Sequence, residues 1–122
     1  MKDLRIVLVD DSPIIRDYLD TTLARIKGCT VVGMAADGIE AVNIIRDLRP
    51  HLVVLDITMP HRNGIEVLRE IRKQDLEMVI VMFTADPSVV LEDICLKEGA
   101  NHYLGKSEVL DLVEICKELV SS

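Results

Sequence analysis

Polar residues stand where the apolar runs of this chain end. Asp56 closes Leu52-Val53-Val54-Leu55, and the turn signal Ile57-Thr58-Met59-Pro60 follows it. Asp10 and Asp11 close Arg5-Ile6-Val7-Leu8-Val9, Thr84 follows Met78–Phe83, and Lys106 comes just after Asn101–Leu104. Three carboxylates brought to one place repel each other and raise at least one pKa, with titration shared across the cluster. A divalent cation removes that conflict. Oxygen-only ligands suit magnesium, which takes few carboxylates, keeps several waters and often accepts a phosphate oxygen. One carboxylate can then attack phosphorus and become an aspartyl phosphate, with the metal neutralising phosphoryl charge. A lysine and a hydroxyl on the far side would pair with the remaining phosphoryl oxygens, and Lys106 and Thr84 supply both.

Singly, each of these residues has an ordinary role. Asp11 can cap a helix, Asp56 can open an Asx turn before Pro60, Thr84 can cap the helix near Asp86-Pro87, and Lys106 can be a solvated lysine. The elements that carry them change the odds. Arg5–Val9 reads as a first strand, and Ser12-Pro13 opens a helix through Ile15, Leu19, Thr22, Leu23 and Ile26, closed by Gly28. Thr30–Ala35 is β-branched and apolar, a second strand. Asp37-Gly38 is a turn, and Ile39, Val42, Ile45 and Leu48 form a second helix stopped by Pro50. The buried strand Leu52–Leu55 precedes a third helix marked by Ile65, Leu68 and Ile71. Met78–Phe83 is a fourth strand, and Thr84-Ala85-Asp86-Pro87 ends it. Val90, Leu91, Ile94 and Cys95 mark a fourth helix ended by Gly99. Asn101–Leu104 is a short fifth strand, and Val109, Leu112, Val113, Cys116, Leu119 and Val120 form the last helix.

Strand and helix alternate throughout, which specifies an α/β fold: a parallel sheet with helices on both faces and right-handed crossovers. A doubly wound five-stranded sheet favours the flavodoxin-like order 2-1-3-4-5, with ligands outside the carboxyl ends of the strands. Strands one, three and four are then neighbours, and Asp10-Asp11, Asp56 and Thr84 meet at their ends.

The chain has 122 residues, which suits one domain spanning 1–122. Only one Phe, two Tyr and no Trp accompany a hydrophobic fraction of 49%, so the core is expected to be aliphatic. A net charge of −7 argues against nucleic acid as a direct partner, which needs a basic surface. No apolar run reaches membrane-spanning length. Cys29, Cys95 and Cys116 lack metal or redox spacing and are expected to be buried free thiols in the cytoplasm.

Across its whole length the sequence resembles the receiver domains of two-component response regulators. The motifs that carry the likeness are Val9-Asp10-Asp11, Asp56-x-x-Met59-Pro60-x-x-x-Gly64, Thr84-Ala85 and Tyr103-Leu104-x-Lys106, each after its expected strand. The resemblance implies that Asp56 is the phosphoacceptor of a histidine kinase or phosphotransfer protein. It implies Mg²⁺ held by Asp10, Asp11, Asp56 and the Thr58 backbone carbonyl, with Lys106 and Thr84 on the phosphoryl group. It further implies Tyr103 as the aromatic that reorients on activation, although a lone aromatic on a short strand is more commonly packing. The family commonly has a cis proline after the lysine. Here that residue is Ser107, and a cis bond before a non-proline costs roughly 2.5–4 kcal/mol. A trans Lys106–Ser107 bond is expected, with Ser107 near the N-cap of the last helix.

Two other classes fit less well. A haloacid-dehalogenase-type phosphohydrolase wants an acid/base Asp where Thr58 stands, which argues for a persistent phosphoaspartate and against an enzyme turning over substrate. A flavin carrier of the same strand order would need a Ser/Thr-rich first loop where Asp10-Asp11 repels phosphate. With no DNA-binding module after residue 120, the chain is expected to be a stand-alone regulator or a receiver from a longer one. At about 100° per residue, Val90, Leu91, Ile94 and Cys95 of the fourth helix should face the sheet. Val89 and Leu96 then form a second stripe, and Leu110 and Ile115 flank the apolar arc of the last helix. With Tyr103, these four are expected to make a face for a downstream protein or a second copy, or else to be scattered surface aliphatics, which are normal.

Overall fold

The computed structural model describes residues 3–74, 77–85 and 87–122. Strand β1 is Leu4–Val9, followed by α1 (Pro13–Ala24), β2 (Cys29–Ala35), α2 (Gly38–Leu48), β3 (Leu52–Leu55) and α3 (Gly64–Lys73). Then come β4 (Val79–Thr84), α4 (Val89–Lys97), β5 (His102–Gly105) and α5 (Val109–Ser121). The strands form one parallel sheet in the order β2-β1-β3-β4-β5, as the alternating pattern predicts.

Strand side chains alternate between faces, so the sheet separates two aliphatic cores. Val7, Val9, Val53, Leu55, Ile80 and Met82 point to the side covered by Ala41 and Ile45 of α2, Leu68 and Ile71 of α3, and Cys95 of α4. Leu4, Ile6, Leu8, Leu52, Val54, Val81 and Phe83 point to the side covered by Leu19 and Leu23 of α1 and Leu112 and Cys116 of α5. Every residue of β3 is buried, which is why it reads as a continuous apolar run rather than an alternating one. At ~1.5–3 kcal/mol per fully buried aliphatic side chain, the three central strands hold the scaffold on which the loops rest. Cys29, Cys95 and Cys116 are buried free thiols. Burial pushes the Cys116 thiol up to about 12, so it is unreactive near neutral pH.

Helix starts are fixed by short polar side chains. Ser12 Oγ accepts from the Ile15 N–H (3.3 Å) ahead of Pro13, and Asp37 Oδ1 accepts from the Glu40 N–H (2.9 Å). Asn63 and Glu66 form a reciprocal capping box at α3. Asp37-Gly38 is therefore the opening of α2 and not a separate turn. Gly38 is required because a Cβ there would lie 2.3 Å from the Arg62 carbonyl oxygen.

Boundaries differ from the sequence reading where tertiary bonds intervene. Helix α1 stops at Ala24, short of Ile26 and Gly28: the Ile26 N–H turns back to the Leu23 carbonyl (3.1 Å), and the Gly28 carbonyl accepts from the Leu4 N–H (2.6 Å) at the start of the β1–β2 ladder. Strands β4 and β5 each lie one residue later than expected, ending on the pair Thr84–Gly105. The Lys106–Ser107 bond is trans. Ser107 does not cap α5: the Glu108 N–H bonds the Gly105 carbonyl (2.9 Å), closing a turn over Lys106 and Ser107, and Glu108 occupies the N-cap without a side-chain cap bond. Asp86, read as part of the turn after β4, lies outside the described residues.

Candidate functional site: an acidic cleft at the strand ends

Asp10, Asp56 and Lys106 sit one position beyond β1, β3 and β5, each held by a backbone bond to a neighbouring strand, and Thr84 is the last residue of β4. The Asp10 N–H donates to the Ala35 carbonyl (3.1 Å), the Asp56 N–H to the Val9 carbonyl (2.9 Å), and the Lys106 N–H to the Thr84 carbonyl (2.8 Å). The sheet is wound one way from β1 to β2 and the other way from β3 to β5, which opens a crevice between β1 and β3. Asp11, Asp56, Thr58, Thr84 and Lys106 line a cleft of about 460 Å³ there, with Ile57, Ala85 and Leu91 as its apolar wall.

Asp10 is 2% exposed, Asp56 4% and Thr84 5%, whereas Asp11 and Thr58 are open to solvent. The Lys106 ammonium donates to Asp10 Oδ2 at 2.8 Å and approaches Asp56 Oδ2 at 3.5 Å. Asp10 Oδ1 accepts from the Ser12 N–H (2.9 Å), and the Arg16 guanidinium donates to the Asp10 carbonyl (2.7 Å). Burial, reinforced by the Asp10 and Asp11 charges, pushes the Asp56 carboxyl up to about 6, against the opposing pull of Lys106 and the Ile57 backbone. For Lys106, burial lowers the ammonium pKa, but the hydrogen bond to Asp10 and the charges of Asp56 and Asp10 more than offset it, and the net direction is upward.

Asp10, Asp11 and Asp56 each bring a carboxylate oxygen within 4.8 Å of the others. An all-oxygen set of this spacing, one member of it exposed, fits a hard cation that retains water. The raised Asp56 carboxyl is the repulsion such a cation would relieve. The residues therefore fit magnesium, and receiver domains bind it at an acidic pocket of this kind.

Tyr103 lies outside the cleft. It is half-buried against the α4 side of the core, and its hydroxyl accepts from the Ser88 N–H (3.1 Å), at the N-cap of α4. Val89 shares a small cavity with it. Val89, Leu96 and Leu110 are exposed, at 83%, 45% and 76%. Two expectations about these helices fail. Val90, assigned to the sheet-facing arc, is 68% exposed, because Leu91, Ile94 and Cys95 centre that arc on their own side and leave Val90 near its edge. Ile115 is half-buried against the α1–α5 core, so it contributes little open surface.

Some supporting residues escape the sequence reading. Ser88 follows Pro87 ahead of an apolar run, a helix-start signal, but its bond to Tyr103 has no local signature. Nothing near Arg16 marks it as the partner of the Asp10 carbonyl. Gly64 enters the sequence reading only as the last residue of a motif, with no physical reason attached, yet its missing Cβ is essential: one there would lie 2.0 Å from the Asp56 carbonyl oxygen.

A doubly wound parallel sheet thus carries a carboxylate cluster and a lysine at its switch point. The chain belongs to the response regulator receiver domain family, whose pattern it matches over residues 6–118, and is a phosphoacceptor switch of two-component signalling. It is 33% identical over 105 residues to the probable C4-dicarboxylate response regulator DctR of Bacillus subtilis, covering 86% of this chain and 46% of that protein. The crystal structure of a LuxR-family two-component response regulator from Aurantimonas sp. SI85-9A1 superposes with a TM-score of 0.90 at 35% identity, over 98% of this chain and 86% of that one. The CheX-CheY-BeF3-Mg²⁺ complex from Borrelia burgdorferi gives 0.81 at 31% identity, over 88% and 84%. The chain spans about half the length or less of the curated relatives it matches, 46% of DctR and 33% of a Treponema denticola protein-glutamate methylesterase. Among the described residues no helix is long and apolar enough to cross a membrane.

Proposed function

We propose that Asp56 is the phosphoacceptor, taking a phosphoryl group from a phosphohistidine on a sensor histidine kinase or phosphotransfer protein. The observation that carries this reading is the buried Asp56 carboxylate beside Asp10, Asp11 and the Lys106 ammonium at the strand ends. An Asp56 carboxylate oxygen forms the new bond to phosphorus as the N–P bond breaks, and the departing imidazole nitrogen keeps the bonding pair. Asp10, Asp11, Asp56 and the Thr58 carbonyl would hold Mg²⁺, which supplies positive charge to the phosphoryl oxygens. Lys106 moves from its carboxylate contacts to a phosphoryl oxygen, and the Thr84 hydroxyl donates to another. Leu91 and Ile57 limit water on the apolar side of the cleft. With Thr58 where a hydrolase would need a proton-transferring residue, the domain catalyses at most its own phosphorylation and dephosphorylation.

Drawing Thr84 towards the phosphoryl group frees space for Tyr103, whose hydroxyl then leaves the Ser88 N–H. The ligand shifts this equilibrium only through contacts that differ between the two states. The face read by a downstream protein or second copy comprises Tyr103, Val89, Leu96 and Leu110, along α4, β5 and α5. Incubation with acetyl phosphate and Mg²⁺, followed by intact mass, should add one phosphoryl group to the wild type and none to Asp56→Asn. Full modification of that variant, or of wild type in excess chelator, would refute the assignment.

A further inference from the structure

At the end of the sheet opposite the acidic cleft, the C-terminal half of α5 and the end of α1 with the turn that follows it flank an open groove of about 580 Å³. Its floor is Ile26, Val113 and Val120, all half-buried and continuous with the α1–α5 core. Its rim carries Arg25, Lys27 and Lys117, all exposed. Among the described residues Arg25 and Lys27 have no ion-pair partner, and Lys117 has only a 3.8 Å contact with Glu114 on its own helix, exposed on both sides. Such a pair contributes little, so the rim cations are available to another molecule.

This cluster of cations stands out on a chain of net charge −7. Beyond roughly 8 Å at physiological salt, the surplus negative charge is screened, while a carboxylate docked on the rim is not. An acidic partner is therefore disfavoured over most of the surface and favoured here, which gives the groove selectivity. A valley with α5 on one side and the end of α1 and its following turn on the other has room for the ridge of a docked helix. Its open side suits a polypeptide better than a small ligand, which needs to be nearly enclosed.

We propose that the α1–α5 groove is a docking site for an acidic amphipathic helix of another protein. Aliphatic side chains of that helix cover Ile26, Val113 and Val120, and its flanking carboxylates meet Arg25, Lys27 and Lys117. The site lies at the far end of the sheet from Asp56 and does not depend on its phosphorylation.

The test uses the isotope-labelled chain and three synthetic peptides roughly four turns long. One has leucines at i, i+3, i+4 and i+7 flanked by glutamates, a second replaces the glutamates with lysines, and a third scrambles the leucines. The acidic amphipathic peptide should give saturable amide shifts over Arg25–Lys27 and Val113–Val120. Binding should weaken at least tenfold in Lys27→Glu/Lys117→Glu, weaken with added salt, and stay unchanged in Asp56→Asn. The two exposed lysines can be reversed without touching the core, and a matching thermal melt verifies the fold. No saturable shift, shifts centred elsewhere, or equal binding of the lysine or scrambled peptide would overturn the proposal. So would burial of the same amides by self-association without peptide, or a preference for phosphatidylglycerol vesicles over the acidic peptide.

Discussion

Asp56 holds a buried charge that the metal-free fold tolerates poorly. Burial and the Asp10 and Asp11 charges push its carboxyl up to about 6 in the folded chain, against ~3.9 in an unfolded one. Between those values the native state binds more protons than the unfolded state, so stability falls as pH rises through that window and levels off above it. Asp56→Asn removes the titration. In chelator at pH 8 the variant should be more stable than wild type by about 1–3 kcal/mol, and near pH 4 the gap should close. Thermal melts at both pH values measure this, and an equal gap at each would show that Asp56 ionisation is not the cause. Thr84 tests a different function at the same scale. Thr84→Ala should still be phosphorylated, since nucleophile and carboxylates remain, but should lose phosphorylation-dependent partner binding.

The loop after β3 and the start of α3 form one device. Asn63 and Glu66 fix the helix start, the Gly64 N–H bonds the Ile57 carbonyl at 2.7 Å, and Gly64 lies against the backbone of Asp56. Gly64→Ala must push either the helix or Asp56 aside. Its cost should exceed the ~1 kcal/mol typical of a substitution, read by urea denaturation, and its phosphorylation by acetyl phosphate should slow in parallel. A variant with wild-type stability and rate would mean the loop yields freely. Helix α4 gives the second test at this scale. Polar replacement of Val89 and Leu96, exposed at 83% and 45%, should weaken association after phosphorylation while leaving the yield of phosphoaspartate unchanged, as read by size-exclusion chromatography and intact mass. Undiminished association would return these side chains to ordinary surface.

The architecture of the molecule was legible because its strongest signals are local. Each buried strand is a short apolar run, each run ends in a turn, and strict alternation leaves few topologies. The cleft followed from that order, because the same strand ends carry Asp10, Asp56, Thr84 and Lys106. What stayed hidden depends on contacts between segments far apart in sequence. The Gly28 carbonyl beyond α1 is taken by the Leu4 N–H, Tyr103 is anchored by the Ser88 N–H, and Gly64 is needed by the Asp56 carbonyl. Val90 and Ile115 were misplaced for a related reason. Helical phase orders residues around an axis, but which angle meets the sheet is decided by how the helix lies on it.

The bonds that hold Asp10, Asp56 and Lys106 to the neighbouring strands also govern how slowly the site exchanges with solvent. The Asp56 amide bonds across β3 and β1 at the centre of the sheet, so it opens only when those strands separate, whereas the Asp10 and Lys106 amides bond across the edge strands β2 and β5. In native-state hydrogen exchange the amide of Asp56 should be protected to nearly the full unfolding free energy, whereas that of Leu91, bonded to the Ser88 side chain at 3.4 Å, should exchange through local opening. The part of the cleft that receives the phosphoryl group would then be among the last to loosen, and the part that reports its arrival among the first.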